Sequence, residues 1–186
     1  MPVYRKLLPT ECHRYRAHLL RLDRADRYAR FAGTVSDDTI ERHVRTLDWN
    51  RTIIVGCFYQ GELRGAVELC TDRTAWAEQA ELGVSVEPLL QERGVGTTLV
   101  RRALTIARNR GISRVHMLCQ ADNRRMRALS RRFDGTLELE GSELTVTIDL
   151  PPANQFSLVL EAFEDGAAAV GTVLDQWQPT DQRRAA

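Results

Sequence analysis

The chain of 186 residues is the length of one domain with a modest extension, and 43 % hydrophobic against 27 % charged residues is ordinary globular composition. That is apolar material enough for a core without metals or disulfides, which excludes a disordered chain or a disulfide-stapled peptide. A net charge of +1, from 26 basic and 25 acidic residues, gives no electrostatic footprint for DNA or RNA.

Four cysteines, Cys12, Cys57, Cys70 and Cys119, lie far apart without a C-x-x-C spacing and read as reduced thiols. The adjacent pair Cys12-His13 is two ligands short of a zinc site, so no metal is expected. The opening MPVYRKLL has no signal-peptide apolar core, and no run of 18 apolar residues suggests a membrane span. The expectation is a cytoplasmic protein without nucleic-acid or membrane partners.

Residues 3–8 read as a first strand, and Thr10 as the N-cap of a helix carrying Tyr15, Leu19 and Leu22 at helical spacing. Ser36 reads as a second N-cap, with Ile40, Val44 and Leu47 behind it. Thr52–Tyr59 and Gly65–Thr71 read as a hairpin around Gln60-Gly61-Glu62, and Glu81–Val86 as a further strand. Gly94-Val95-Gly96 then opens a helix with Leu99, Val100, Ala103, Leu104 and Ala107 on one face, closed at Gly111. A strand over Arg114–Cys119, a helix over Asn123–Phe133, and strands over Thr136–Leu139 and Glu143–Leu150 complete a mixed α/β domain of residues 1–150. Beyond Pro151-Pro152, the residues Phe156, Leu160, Phe163, Ala167, Val170, Leu174 and Trp177 follow a 4-3 helical seam, a C-terminal extension over 151–178 before a tail at 179–186. Docking of this helix on its own domain is favoured over a homodimer contact.

The chemistry is concentrated in Gln91-Glu92-Arg93-Gly94-Val95-Gly96-Thr97-Thr98, between a strand and a helix. Two glycines one residue apart let backbone N–H groups turn toward an anion at the helix N-terminus. It is not a Walker A loop, whose lysine is absent, nor a Rossmann fingerprint, whose third glycine is missing.

Q-x-x-G-x-G in this position resembles the acetyl-CoA signature of the GNAT superfamily of N-acyltransferases. The resemblance extends through Ala80–Pro88, similar to that family's fourth strand, and Asn123–Phe133, similar to its N-x-x-[AM]-x-x-L-x-x-x-x-F helix, and it covers roughly residues 1–150. Leu20–Asp23, Arg27–Phe31, Val35–Asp37 and Asn123–Met126 look like the acetyltransferase module of bacterial protein-lysine acetyltransferases. The resemblance implies a mostly antiparallel sheet whose fourth and fifth strands splay to admit acetyl-CoA. It implies that Val84 and Val86 offer backbone hydrogen bonds to the pantetheine, and that the amides from Arg93 through Gly94, Val95, Gly96 and Thr97 to Thr98 hold the pyrophosphate. Gln91 belongs to the same signature, and Asn123 contacts the cofactor arm or caps its helix.

An amine of pKa near 10.4 is neutral in only about one part in 2,500 at pH 7, so a base on the acceptor side is worth about 4–5 kcal/mol. Glu81 matches the family's frequent catalytic glutamate, with Glu68 as the alternative carboxylate. Ser130 stands where many members carry a tyrosine acid; it is positioned to hydrogen-bond the departing sulfur or to lie exposed on its helix. A thiol with pKa near 8.5 leaves without a strong acid. His116 reads as structural; Asp37-Asp38 and Asp72 as an acidic rim or solvated loops; Trp49 and Trp76 as neighbours of the acceptor loops. No Ser-His or Cys-His pair suggests an acyl-enzyme. The reading is an acetyl-CoA-dependent N-acetyltransferase acting on a primary amine, a protein lysine or a small molecule, by direct attack in a ternary complex. The alternative is a non-catalytic acyl-CoA-binding sensor or partner module.

Overall fold

The computed structural model describes residues 1–71 and 78–176, with the side chains of the last helix through 168. Among these residues seven strands, β1 Val3–Lys6, β2 Thr52–Tyr59, β3 Glu62–Thr71, β4 Gln79–Val86, β5 Arg114–Gln120, β6 Thr136–Glu140 and β7 Glu143–Asp149, form one sheet in the order β1-β2-β3-β4-β5-β7-β6. Every neighbouring pair is antiparallel except β4–β5. Among the described residues six α-helices accompany it: α1 Cys12–Arg21, α2 Arg24–Phe31, α3 Asp37–Arg45, α4 Val95–Asn109, α5 Arg124–Arg132 and α6 Gln155–Gln176.

Alternation along the strands sends residues to two cores. Val55, Val67, Leu69, Ala80, Leu82, Val115 and Met117 pack on the α4 face with Leu99, Val100, Ala103 and Ala107. Ile54, Phe58 and Ala66 point the other way, against Tyr15, Leu19, Ile40 and Val44 of α1 and α3. Burying each such large side chain contributes about 1.5–3 kcal/mol, so α4 is held by packing rather than by propensity. α6 lies along β1 and α4.

Most elements fall where periodicity places them, with some corrections. Thr10 sits inside a 3-10 turn at Pro9–Glu11 and caps nothing; Glu11 instead accepts the Leu8 N–H at 3.2 Å. α2 is an additional helix in an arginine-rich stretch without an apolar repeat, started by Asp23 accepting the Asp26 N–H at 2.8 Å. Ser36 does cap α3, accepting from the Thr39 N–H. Gln60 and Gly61 both take positive φ, 53° and 77°, as a tight hairpin turn with twist-matched strands requires.

One departure from regular pairing positions the site. β4 and β5 pair only at Gln79, Ala80 and Glu81 against Arg114, Val115 and His116. Beyond that, Leu82–Val86 pair only with β3, and Met117–Gln120 only with β7. The two strands diverge into a V-shaped gap in mid-sheet.

Candidate active site

The gap leaves backbone groups of β4 unpaired, and register says which. The Glu87 N–H donates to the Arg64 carbonyl at 2.9 Å, so Arg64–Glu87 is a hydrogen-bonded pair of the β3–β4 ladder. Antiparallel pairs alternate, so Val86 and Val84, opposite Gly65 and Val67, aim their N–H and C=O groups away from β3 and into the gap. The Val86 carbonyl is already engaged, accepting from Gln91 Nε2 at 2.8 Å; its N–H and both groups of Val84 remain.

A cavity of about 300 Å³ occupies this gap, lined by Val84, Val86, Gly94, Gly96, Thr97 and Asn123 among others. Its floor is the N-terminus of α4. Gly94, at φ 78°, opens the helix without a capping side chain, so the first N–H groups of α4 face the cavity mouth with the positive end of a 15-residue helix behind them. A Cβ on Gly96 would meet only Val86 Cγ2, at 3.8 Å, so packing within the chain does not require glycine there. Val95 does not line the cavity, its side chain being buried in the core on the α4 face. Arg93 is exposed beside the loop and does not line the cavity. Thr98 is a correction: its N–H already donates to the Gly94 carbonyl at 3.0 Å, so it has no amide left for a ligand. Gln91 is a brace, donating to Val86 O and, at 2.9 Å, to Asp26 Oδ2. Asn123 caps α5, accepting the Met126 N–H at 3.0 Å, while lining the cavity.

Further along β4, on the α1–α3 face, lies a second cavity of about 220 Å³ bordered by Arg30, Phe31, His43, Glu68, Glu81 and Leu118. Glu68 Oε2 accepts from Tyr15 Oη at 2.6 Å, from Arg30 Nη2 at 2.9 Å and from His43 Nε2 at 2.9 Å. Burial alone would raise this carboxyl, but the His43 hydrogen bond and the Arg30 charge reverse that and hold it at about 2. Glu68 is thereby a fixed negative charge and a poor base. Glu81 has no hydrogen-bond partner among the described residues, and its carboxylate adds to the field on Arg30. Arg30 crosses β4 at Gly83, where a Cβ would lie 2.2 Å from the guanidinium carbon. Glycine at 83 is what lets the arginine reach Glu68.

Ser130 is a second correction. It is fully buried, and its hydroxyl donates to the Gly135 carbonyl at 3.1 Å, fastening the turn after α5 rather than facing either cavity. A Ser-His contact does exist, contrary to expectation: His18 Nε2 lies 2.9 Å from Ser85 Oγ, and its Nδ1 lies 3.0 Å from Glu87 Oε1. His18 is buried, and Glu87 is clamped by Arg21 and Arg64 at 2.9 and 2.7 Å, so the chain of contacts ties α1 to β4. His116 meets Thr147 and Gln79, a structural post. Asp37 pairs with Arg27 at 2.6 Å and neither it nor Asp38 borders the cavities; Trp49 packs with the α1–α3 core. Asp72 and Trp76 lie outside the described residues.

Sequence reasoning missed Asp26, Ala29, Arg125 and Arg132, which also line the larger cavity. Asp26 bridges to Arg125 at 3.1 Å and so links α2 to α5 across it. The signal lay in α2, whose helix is not visible from apolar spacing.

The family model described as acetyltransferase (GNAT) family matches residues 17–135. No curated protein matches the sequence. Among solved structures, the GNAT domain of S. lividans PAT is similar with a TM-score of 0.68 and 22 % identity, over 79 % of this chain and 89 % of that one. PaiA N-acetyltransferase from Thermoplasma acidophilum, in complex with coenzyme A, is similar with a TM-score of 0.60 and 19 % identity, over 80 % and 99 %. A cAMP-binding acyltransferase from Mycobacterium smegmatis gives 0.58 and 18 %, over 92 % of this chain and 52 % of that longer protein.

Proposed function

The chain belongs to the acetyltransferase (GNAT) family, and from that premise we propose that it moves an acetyl group from acetyl-CoA to a primary amine by direct attack in a ternary complex. One observation carries the reading: the open edge of β4 runs from the uncapped N-terminus of α4 to a cavity that holds two carboxylates. The free N–H groups at Gly94–Thr97 suit the pyrophosphate, and the unpaired groups of Val84 and Val86 suit the amide-bearing arm. The Val84 N–H then faces the thioester oxygen as negative charge develops on it.

Glu81 takes the amine proton. It is the cavity carboxylate without competing donors, whereas Glu68 is saturated. The neutral amine attacks the thioester carbon, the N–C bond forms, the C–S bond breaks, and CoA leaves as a thiolate that takes up the second amine proton and needs no side-chain acid. Glu68 is neutralised by Arg30, so Glu81 is the cavity carboxylate that draws in a cationic acceptor, either a protein lysine or a small-molecule amine. The free cysteines fit a cytoplasmic setting, and no described helix is long and apolar enough to cross a membrane.

Two measurements test this together. Acetyl-CoA at about 100 times its dissociation constant adds about 2.7 kcal/mol, a rise of about 5–11 °C in Tm, with free CoA acting similarly and ATP not. Glu81→Gln should keep that rise while kcat/KM across an amine panel drops about 10²–10⁴-fold. A thermal rise without turnover for any amine would overturn catalysis in favour of an acyl-CoA sensor. Full activity in Glu81→Gln would move the base elsewhere.

A further inference from the structure

α6 is amphipathic, but it docks with its polar side inward. Lys6 Nζ, the only lysine in the chain, donates to Glu161 at 2.6 Å and to Asp165 at 2.7 Å. Asn109 Nδ2 donates to the Ser157 carbonyl at 2.9 Å and to Glu161 at 2.8 Å. Arg102 reaches Glu164 at 3.3 Å, and Ser157 and Ala168 are buried beneath the helix. The apolar stripe is left facing outward: Phe156 is 86 % exposed, Val159 67 % and Phe163 71 %, with Leu160 beside them at 40 %.

We propose that this stripe is the contact between two copies of the chain, α6 against α6. The first ground is periodicity. Among the described side chains the stripe keeps a 4-3-4 seam, Phe156, Leu160, Phe163 and Ala167, the repeat by which a helix packs along its length on another helix. Its own domain holds the opposite face of α6, so the domain does not use the described part of that seam.

The second ground is area. An aromatic side chain buries about 150–250 Å², so the two phenylalanines and the neighbouring aliphatics offer on the order of 500 Å² per copy. Two copies together then reach about 1,000 Å², the lower bound of a specific interface, from the described side chains alone.

The third ground is charge. The seam positions are all uncharged, so a two-fold pair brings no like charges together across it. α6 also carries no lysine or arginine, only Glu161, Glu164, Asp165 and Asp175. A helix lying on an anionic membrane needs a basic rim, and this one is acidic.

The inference is independent of the catalytic reading and is tested on the full chain by sedimentation equilibrium or light scattering over a micromolar concentration series. The wild type should show twice the 21.1 kDa chain mass. Phe163→Glu should sediment at the single-chain mass while remaining folded by circular dichroism, because Phe163 supports no core in the single chain. Wild type at single-chain mass throughout would overturn the proposal, and it would do so equally if the protein instead pelleted with phosphatidylserine vesicles. A double mass that Phe163→Glu leaves intact would also overturn it. To guard against an effect of one substitution, Val159→Glu should reproduce the dissociation.

Discussion

Individual residues in this site are defined by what their atoms already do. Glu68 and Glu81 are both strand carboxylates of one cavity, yet among the described residues three donors converge on one and none on the other. Those donors hold the Glu68 carboxyl well below the usual carboxylate range. Gly83 belongs to the same arrangement, since its missing Cβ is the space that the Arg30 guanidinium fills. Gly83→Ala should push Arg30 off Glu68, remove one charge-assisted hydrogen bond and cost about 1–3 kcal/mol in urea denaturation. An unchanged midpoint would mean that Arg30 contributes little to holding α2 on β4. Ser130 teaches the same lesson in reverse: a residue at a position suggestive of acid chemistry is occupied in fastening Gly135.

At the scale of elements, the β4–α4 junction combines two glycines with different jobs. Gly94 sits at φ 78°, where any side chain is strained, so it is required by the backbone. Gly96 is helical with room for a Cβ, so the fold itself does not need it. Gly96→Ala should therefore keep or raise stability, by up to about 1 kcal/mol, while weakening the thermal response to acetyl-CoA. Gly94→Ala should instead lower the Tm of the unliganded protein by roughly 1–2 kcal/mol worth of strain. If Gly96→Ala leaves the acetyl-CoA response intact, the ligand does not approach the backbone there.

The whole molecule is built across two buried polar clusters, Tyr15–Arg30–His43–Glu68 and His18–Ser85–Glu87, that join the α1–α3 layer to the sheet. They give it a direction of pH sensitivity. Burial lowers the His18 pKa below 6.5, so as pH falls through 6.5 the unfolded chain takes a proton that the folded chain refuses, and stability declines. Glu68 and Glu87 sit at about 2 when folded against 4.5 unfolded. For Glu87 the burial that opposes this is outweighed by hydrogen bonds from His18, Arg64 and Arg21. Below about 4.5 the unfolded chain protonates these carboxylates first, and stability on the order of 3 kcal/mol for each is lost between there and pH 2. Thermal melts from pH 8 to 3 should show a plateau above 6.5, a shallow decline to 4.5 and a steep one below. His18→Gln should remove the shallow limb; its persistence would assign that limb to another group.

What the sequence determined by itself was local. The period-2 strands, the α4 face from Leu99 to Ala107, the hairpin at Gln60-Gly61, the Ser36 cap and the glycine pair before α4 each depend on residues within a few positions of one another. The larger cavity was legible for the same reason, because the strand, loop and helix start that form its floor are contiguous in the chain. Tertiary structure alone decided the rest. Which atoms saturate Glu68, where the Ser130 hydroxyl turns and which side of α6 faces inward are settled by partners from five residues to well over a hundred away. A helical seam states that one face is apolar; it does not state that a lysine on β1 and arginines on α4 will hold the other. Those contacts are electrostatic and non-local, and no periodicity in a single chain encodes them.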